Sequence, residues 1–160
     1  MFSVRIGLFI AGLVAIASPA EAAEYLTSVT SEVYQSQGTK REIALRANTC
    51  IAQRLAPGTV DAQLIISSDL DGGIIVARNA TTHGSFPEFK IRSRFTFEAR
   101  DGRFRIEQTG LERYIDLYGN GWGPIGKWSG SQWKKAETAF VLSAASVAQC
   151  VMNPPKSEDW

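Results

Sequence analysis

Residues Phe89–Ile106 read FKIRSRFTFEARDGRFRI, and their alternation is that of a β-hairpin. Successive side chains of an extended chain point to opposite faces. Phe89, Ile91, Phe95, Phe97 and Ala99 therefore share one face, with Ser93 among them. Lys90, Arg92, Arg94, Thr96, Glu98 and Arg100 share the other. Asp101-Gly102 is a two-residue hairpin turn. Counting back from it pairs Ala99 with Phe104, Phe97 with Ile106 and, on the polar side, Glu98 with Arg105. The pattern continues through Thr109, and Leu111–Tyr118 either extends the strand or leaves the sheet.

Upstream, AQLIIS (Ala62–Ser67) and IIVARN (Ile74–Asn79) flank the turn SDLDGG and predict a second hairpin. Asp69, Asp71 and Gly72 resemble a calcium loop, but its remaining ligands are missing and Asp-Gly is an ordinary turn signal. Further upstream, Thr39 followed by Glu42 forms a capping box. Ile43, Ala47, Cys50, Ile51 and Leu55 then recur at helical spacing until Pro57-Gly58. Leu26–Tyr34, rich in β-branched residues, predicts a first strand. Downstream, Ser131 is a candidate cap for a last helix. Its apolar face carries Ala136, Ala139, Phe140, Ser143, Ala144, Val147, Cys150 and Val151.

The order β-α-β-β-β-β-α with short turns predicts an α+β domain. It has an antiparallel sheet of about five strands with two helices packed on one face. This layout, with its I-I-x-x-D-x-x-G-G-I-I-V-A hairpin (Ile65–Ala77) and F-x-F-E-A-R-D-G-R-F-R-I hairpin (Phe95–Ile106), resembles the DUF4468 family. The resemblance runs from about Leu26 to Met152 and implies a TBP-like fold, often in an exported domain. It implies no activity, and the fold label carries no DNA binding with it.

The chain starts with Arg5, an apolar run from Ile6 to Ala17 and the small-x-small motif Ala20-Glu21-Ala22. That is the pattern of a secretory signal, and the run is too short to span a bilayer comfortably. Residues 1–22 are thus expected to be removed, residues 23–152 to form one domain and residues 153–160 a loose tail. The expected location is the periplasm or the outside of the cell. There Cys50 and Cys150, late in the two helical stripes, are positioned either to form a disulfide or to remain two buried thiols. A bond between them would close a loop of about 100 residues.

Candidate chemistry is sparse. The single histidine, His83, lies in TTHGSFPEF, which predicts an exposed loop, and has no G-x-S-x-G serine to serve. GWGPIGKW (Gly121–Trp128) matches G-x-G-x-x-G and most of a phosphate loop. A phosphate loop, however, needs a helix opening at its lysine, and it needs Ser or Thr where Trp128 stands. Pro124 also removes an amide from the cradle. No cofactor or metal is therefore expected. Glu98 and Glu107 share one face of the hairpin, but the nearby Arg94, Arg103 and Arg105 favour their ionised forms over general-acid chemistry.

What stands out is the polar sheet face, where Lys90, Arg92, Arg94, Arg100, Arg103 and Arg105 outnumber the carboxylates. The core-facing phenylalanines cannot stack on bases, and the formal net charge is only +1, so nucleic acid is not the expected partner. The expected function is that of a non-catalytic binding or assembly domain of the cell envelope. It would meet an envelope protein or anionic ligand through Lys90, Arg92, Arg94, Arg103, Arg105, Trp122 and Trp128. The alternatives are a small-ligand or lipid carrier and a carboxylate-dependent hydrolase.

Overall fold

A computed structural model of the chain describes residues 24–56, 63–85, 87–115 and 121–154. The expected signal, the helix stop at Pro57-Gly58 and most of the C-terminal tail lie outside these residues. In chain order the elements are β1 (Ser28–Thr30), β2 (Tyr34–Gln35), α1 (Lys40–Leu55), β3 (Ile65–Asp69) and β4 (Ile74–His83). They continue with β5 (Phe89–Arg100), β6 (Arg103–Ile115), β7 (Gly121–Pro124) and α2 (Trp133–Met152).

The sheet is antiparallel throughout, in the order β1-β6-β5-β4-β3, and β2 and β7 also pair with β6. The expected hairpin register holds, with Ala99 opposite Phe104, Phe97 opposite Ile106 and Glu98 opposite Arg105. The class is as expected, but among the described residues the sheet has seven strands rather than about five. Two local effects add them. The first strand breaks at Ser31, whose hydroxyl oxygen accepts the Ile106 amide at 2.9 Å where a backbone carbonyl would otherwise serve. β1 and β2 therefore sit on separate stretches of β6. The second addition is β7, made from the first half of the Gly/Trp stretch and paired with Glu112–Ile115. β6 reaches that far because Gly110, at φ +59, absorbs a register shift between Arg92 and Arg94 of β5.

Both helices cover one sheet face. Thr39 and Glu42 form the capping box of α1. The Asp101 carboxylate of the hairpin turn accepts the Lys40 amide at 2.7 Å, and Arg41 pairs with Asp71 of the other turn. Each hairpin turn is thereby tied to the start of α1. At α2 the expected cap fails. The Ser131 side chain donates to the Trp128 carbonyl at 2.8 Å, and Gln132, in a left-handed conformation, occupies the cap position without a side-chain bond.

The core has two parts. Phe95, Phe97, Phe104, Ile43, Ile51 and Val151 belong to one, around a disulfide between Cys50 and Cys150. Leu26, Ile91, Leu111, Ile125, Ala136 and Phe140 belong to the other. A buried polar network lies at the boundary. The Gln108 side-chain oxygen accepts from Asn79 and Ser93, each at 2.7 Å, and its nitrogen donates to the Phe140 carbonyl at 2.7 Å. Asn79 also donates to the Ser143 hydroxyl, which donates in turn to the Phe140 carbonyl. β4, β5, β6 and α2 are thus joined by side chains that satisfy one another.

Candidate functional site

The helices leave the other sheet face uncovered. Alternation along β5 places Lys90, Arg92, Arg94, Thr96, Glu98 and Arg100 on it, each opposed to a residue of β4, of β6 or of both that points the same way. Arg78 of β4 lies directly opposite Arg94. Arg103, Arg105, Glu107, Glu112 and Tyr114 contribute from β6, and Trp122 from β7.

Arg92 is the centre of this surface. Its Nε donates to Glu112 at 2.6 Å, and its guanidinium carbon lies 4.3 Å from the centroid of the Trp122 ring. Trp122 meets Tyr114 edge to face at 5.4 Å. A guanidinium over an indole gains cation–π attraction, and the salt bridge holds it there. The site therefore joins two features that are far apart in the sequence, the basic strand and the Gly/Trp stretch.

Toward the Asp101-Gly102 turn, Glu98 accepts from Arg105 at 2.6 Å and from Arg100 at 3.4 Å. The hydrogen bond from Arg105, aided by Arg100, holds the Glu98 carboxyl below its ordinary range. It is a fixed anion, unsuited to donating a proton. These side chains, with Arg103, Val33 and Phe104, ring a shallow hollow of about 240 Å³. Among the described residues, Lys90, Arg94 and Arg103 have no carboxylate partner.

Trp128 does not join the cluster. It is 53% exposed, and its ring folds over Gly126 so closely that a Cβ there would lie 1.3 Å from it. The third glycine of the G-x-G-x-x-G match accommodates an indole. Lys127 is followed by a turn and then by α2 at Trp133, so no helix opens at the lysine.

His83 also departs from expectation. It is no loop residue but the last residue of β4, 6% exposed and stacked on Phe89 at 5.2 Å. Burial, then the charges of Arg113 and Lys135, push its pKa down.

Sequence reasoning missed Arg78, Glu112 and Tyr114. Alternation through IIVARN makes Arg78 readable, since Asn79 and Ala77 point inward. The other two are hidden by the Gly110 bulge, which shifts the alternation.

No protein-family model and no curated protein matches the chain. Solved structures do. A TBP-like protein from Parabacteroides distasonis is similar with a TM-score of 0.61 at 12% identity, over 79% of this chain and 92% of that one. A DUF4468 family protein from Bacteroides ovatus is similar with a TM-score of 0.56 at 12% identity, over 82% of this chain and 89% of that one. The fold is TBP-like, shared with a DUF4468 protein, as the hairpin motifs imply.

Proposed function

We propose that the chain is an exported, non-catalytic binding domain that docks an acidic protein of the cell envelope on its uncovered sheet face. The observation that carries this reading is the seating of Arg92 on Trp122, bordered by cations without carboxylate partners. Arginine and tryptophan are enriched among the residues that dominate protein interfaces. An excess of one charge sign steers a partner of the other sign. Export is supported by the signal pattern at residues 1–22 and by the Cys50–Cys150 disulfide, which is compatible with an oxidising compartment. Among the described residues no helix is long and apolar enough to cross a membrane.

The hydrolase alternative loses its best acid in Glu98, which is held ionised. The carrier alternative needs a deep apolar cleft on this face, where the hollow is shallow and Val33 and Phe104 share its lining with Glu98 and three arginines.

The test is crosslinking in the cells of origin followed by partner identification. It compares the native chain with Arg92→Ala/Arg94→Ala and with Trp122→Ala. Each change should reduce capture of the partner by roughly tenfold or more, the scale of an interface hot spot. Unfolding midpoints should stay near native. Capture profiles indistinguishable from native would remove the reading.

A further inference from the structure

The end of β4 and the first turns of α2 border an open cleft of about 380 Å³. Thr82 and His83 wall it on the strand side, and Lys134, Lys135, Ala139 and Leu142 on the helix side. The arginine and tryptophan cluster of the sheet takes no part in it.

His83 is the anomaly. Although the residue is buried, neither Nδ1 nor Nε2 has a hydrogen-bond partner among the described residues. An imidazole always has at least one N–H to donate. A buried donor left unmatched is costly, and it marks a place where a partner belongs. The charges beside it are of one sign. Arg113, lying over Phe89 and donating to the Ser131 carbonyl at 2.7 Å, and Lys135 both act on the ring. Lys134 and Lys135 are the second and third residues of α2, whose first turn has no acidic residue and no side-chain cap. The positive end of the helix dipole is therefore uncompensated beside the cleft. Two carboxylates flank the rim in sequence: Glu137 follows the first turn of α2 beside Thr138, and Glu88 accepts from the Thr82 hydroxyl at 2.8 Å.

We propose that this cleft binds a phosphate group, gripped by the Lys134 and Lys135 ammoniums, with the His83 N–H donating from its floor. Donors converging from a strand and a helix suit a tetrahedral oxyanion, which spreads its acceptor oxygens, better than a flat carboxylate. Leu142, 64% exposed, and Ala139 continue the helix wall as an apolar strip. On a phospholipid headgroup that strip would meet the acyl region, whereas free phosphate would leave it bare.

The purified protein is titrated with inorganic phosphate while its amide and imidazole NMR signals are followed. In parallel it is sedimented with vesicles of phosphatidylcholine, with and without phosphatidic acid. Saturable shifts at Thr82–Gly84 and Trp133–Thr138 with inorganic phosphate identify free phosphate. Binding confined to vesicles holding phosphatidic acid identifies the headgroup. In either case Lys134→Ala/Lys135→Ala should weaken binding by roughly tenfold or more, the loss expected for charge-assisted bonds. His83→Gln should weaken it less, and Arg92→Ala/Arg94→Ala should leave it unchanged. No binding in either arm overturns the proposal. So does binding that survives the lysine changes or is lost with the sheet arginines, an outcome that also separates this site from the protein-docking face.

Discussion

Gln108 is fully buried and holds three hydrogen bonds across the boundary between the two parts of the core. Gln108→Leu would fit the space but leave the Ser93 hydroxyl without its acceptor, whereas Asn79 and the Phe140 carbonyl each keep a bond to Ser143. A buried unmatched group costs about 1–3 kcal/mol, and a loss of that size in urea unfolding is expected. Adding Asn79→Ala and Ser93→Ala should restore part of that loss, because removing both partners of a buried bond is milder than removing one. His83 makes a pH prediction. Its folded pKa lies below the ordinary imidazole value of about 6.5, so the unfolded chain binds its proton more readily than the folded one. The stability due to neutral His83 is complete above that ordinary value and is lost as pH falls from it toward the lowered folded pKa. Urea midpoints at about pH 7.5 and pH 5.5 should therefore differ more for the native chain than for His83→Leu.

Between elements, the disulfide is a covalent tie that joins α1 to α2 across a separation of 100 residues. Its removal by Cys50→Ser/Cys150→Ser releases a large loop in the unfolded chain, and the chain-entropy model sets the loss at about 4–5 kcal/mol. Urea midpoints of the two chains, with the native chain also measured in reductant, check this. Much at this scale was readable in advance. Strict alternation plus one Asp-Gly turn defined the pairing of β5 with β6 next to that turn, and the capping box defined the start of α1. The features that escaped depend on long-range partners. β7 is a strand only because β6 extends alongside it, and β6 extends only because Gly110 takes a positive φ. The break between β1 and β2 depends on Ser31 meeting Ile106, far away in sequence. His83 read as exposed because its local sequence resembles a loop, whereas burial is conferred by Phe89 and α2. The candidate surface was half legible for the same reason. Alternation listed its cations, but nothing local placed Trp122 against Arg92.

At the scale of the molecule, both helices lie on one side of the sheet, and on the other side arginines and Lys90 outnumber the carboxylates Glu98, Glu107 and Glu112. The formal net charge is only +1, so the acidic residues that balance that face lie largely elsewhere on the chain. The protein is electrically lopsided, and capture of its partner should weaken as salt rises from about 0.05 M to 0.5 M, as screening shortens the reach of the face. A two-fold dimer built on this face would bring the same patch from each copy together. Arg78, Lys90, Arg94 and Arg103 would then confront the same patch on the other copy, where Glu98 and Glu112 are already engaged with arginines of their own chain and Glu107 alone is left to answer four cations among the described residues. Homotypic stacking is thereby disfavoured by symmetry itself, and sedimentation at low ionic strength should find no such dimer. Like charge on the bare side of the sheet would turn a second copy away before any shape is matched.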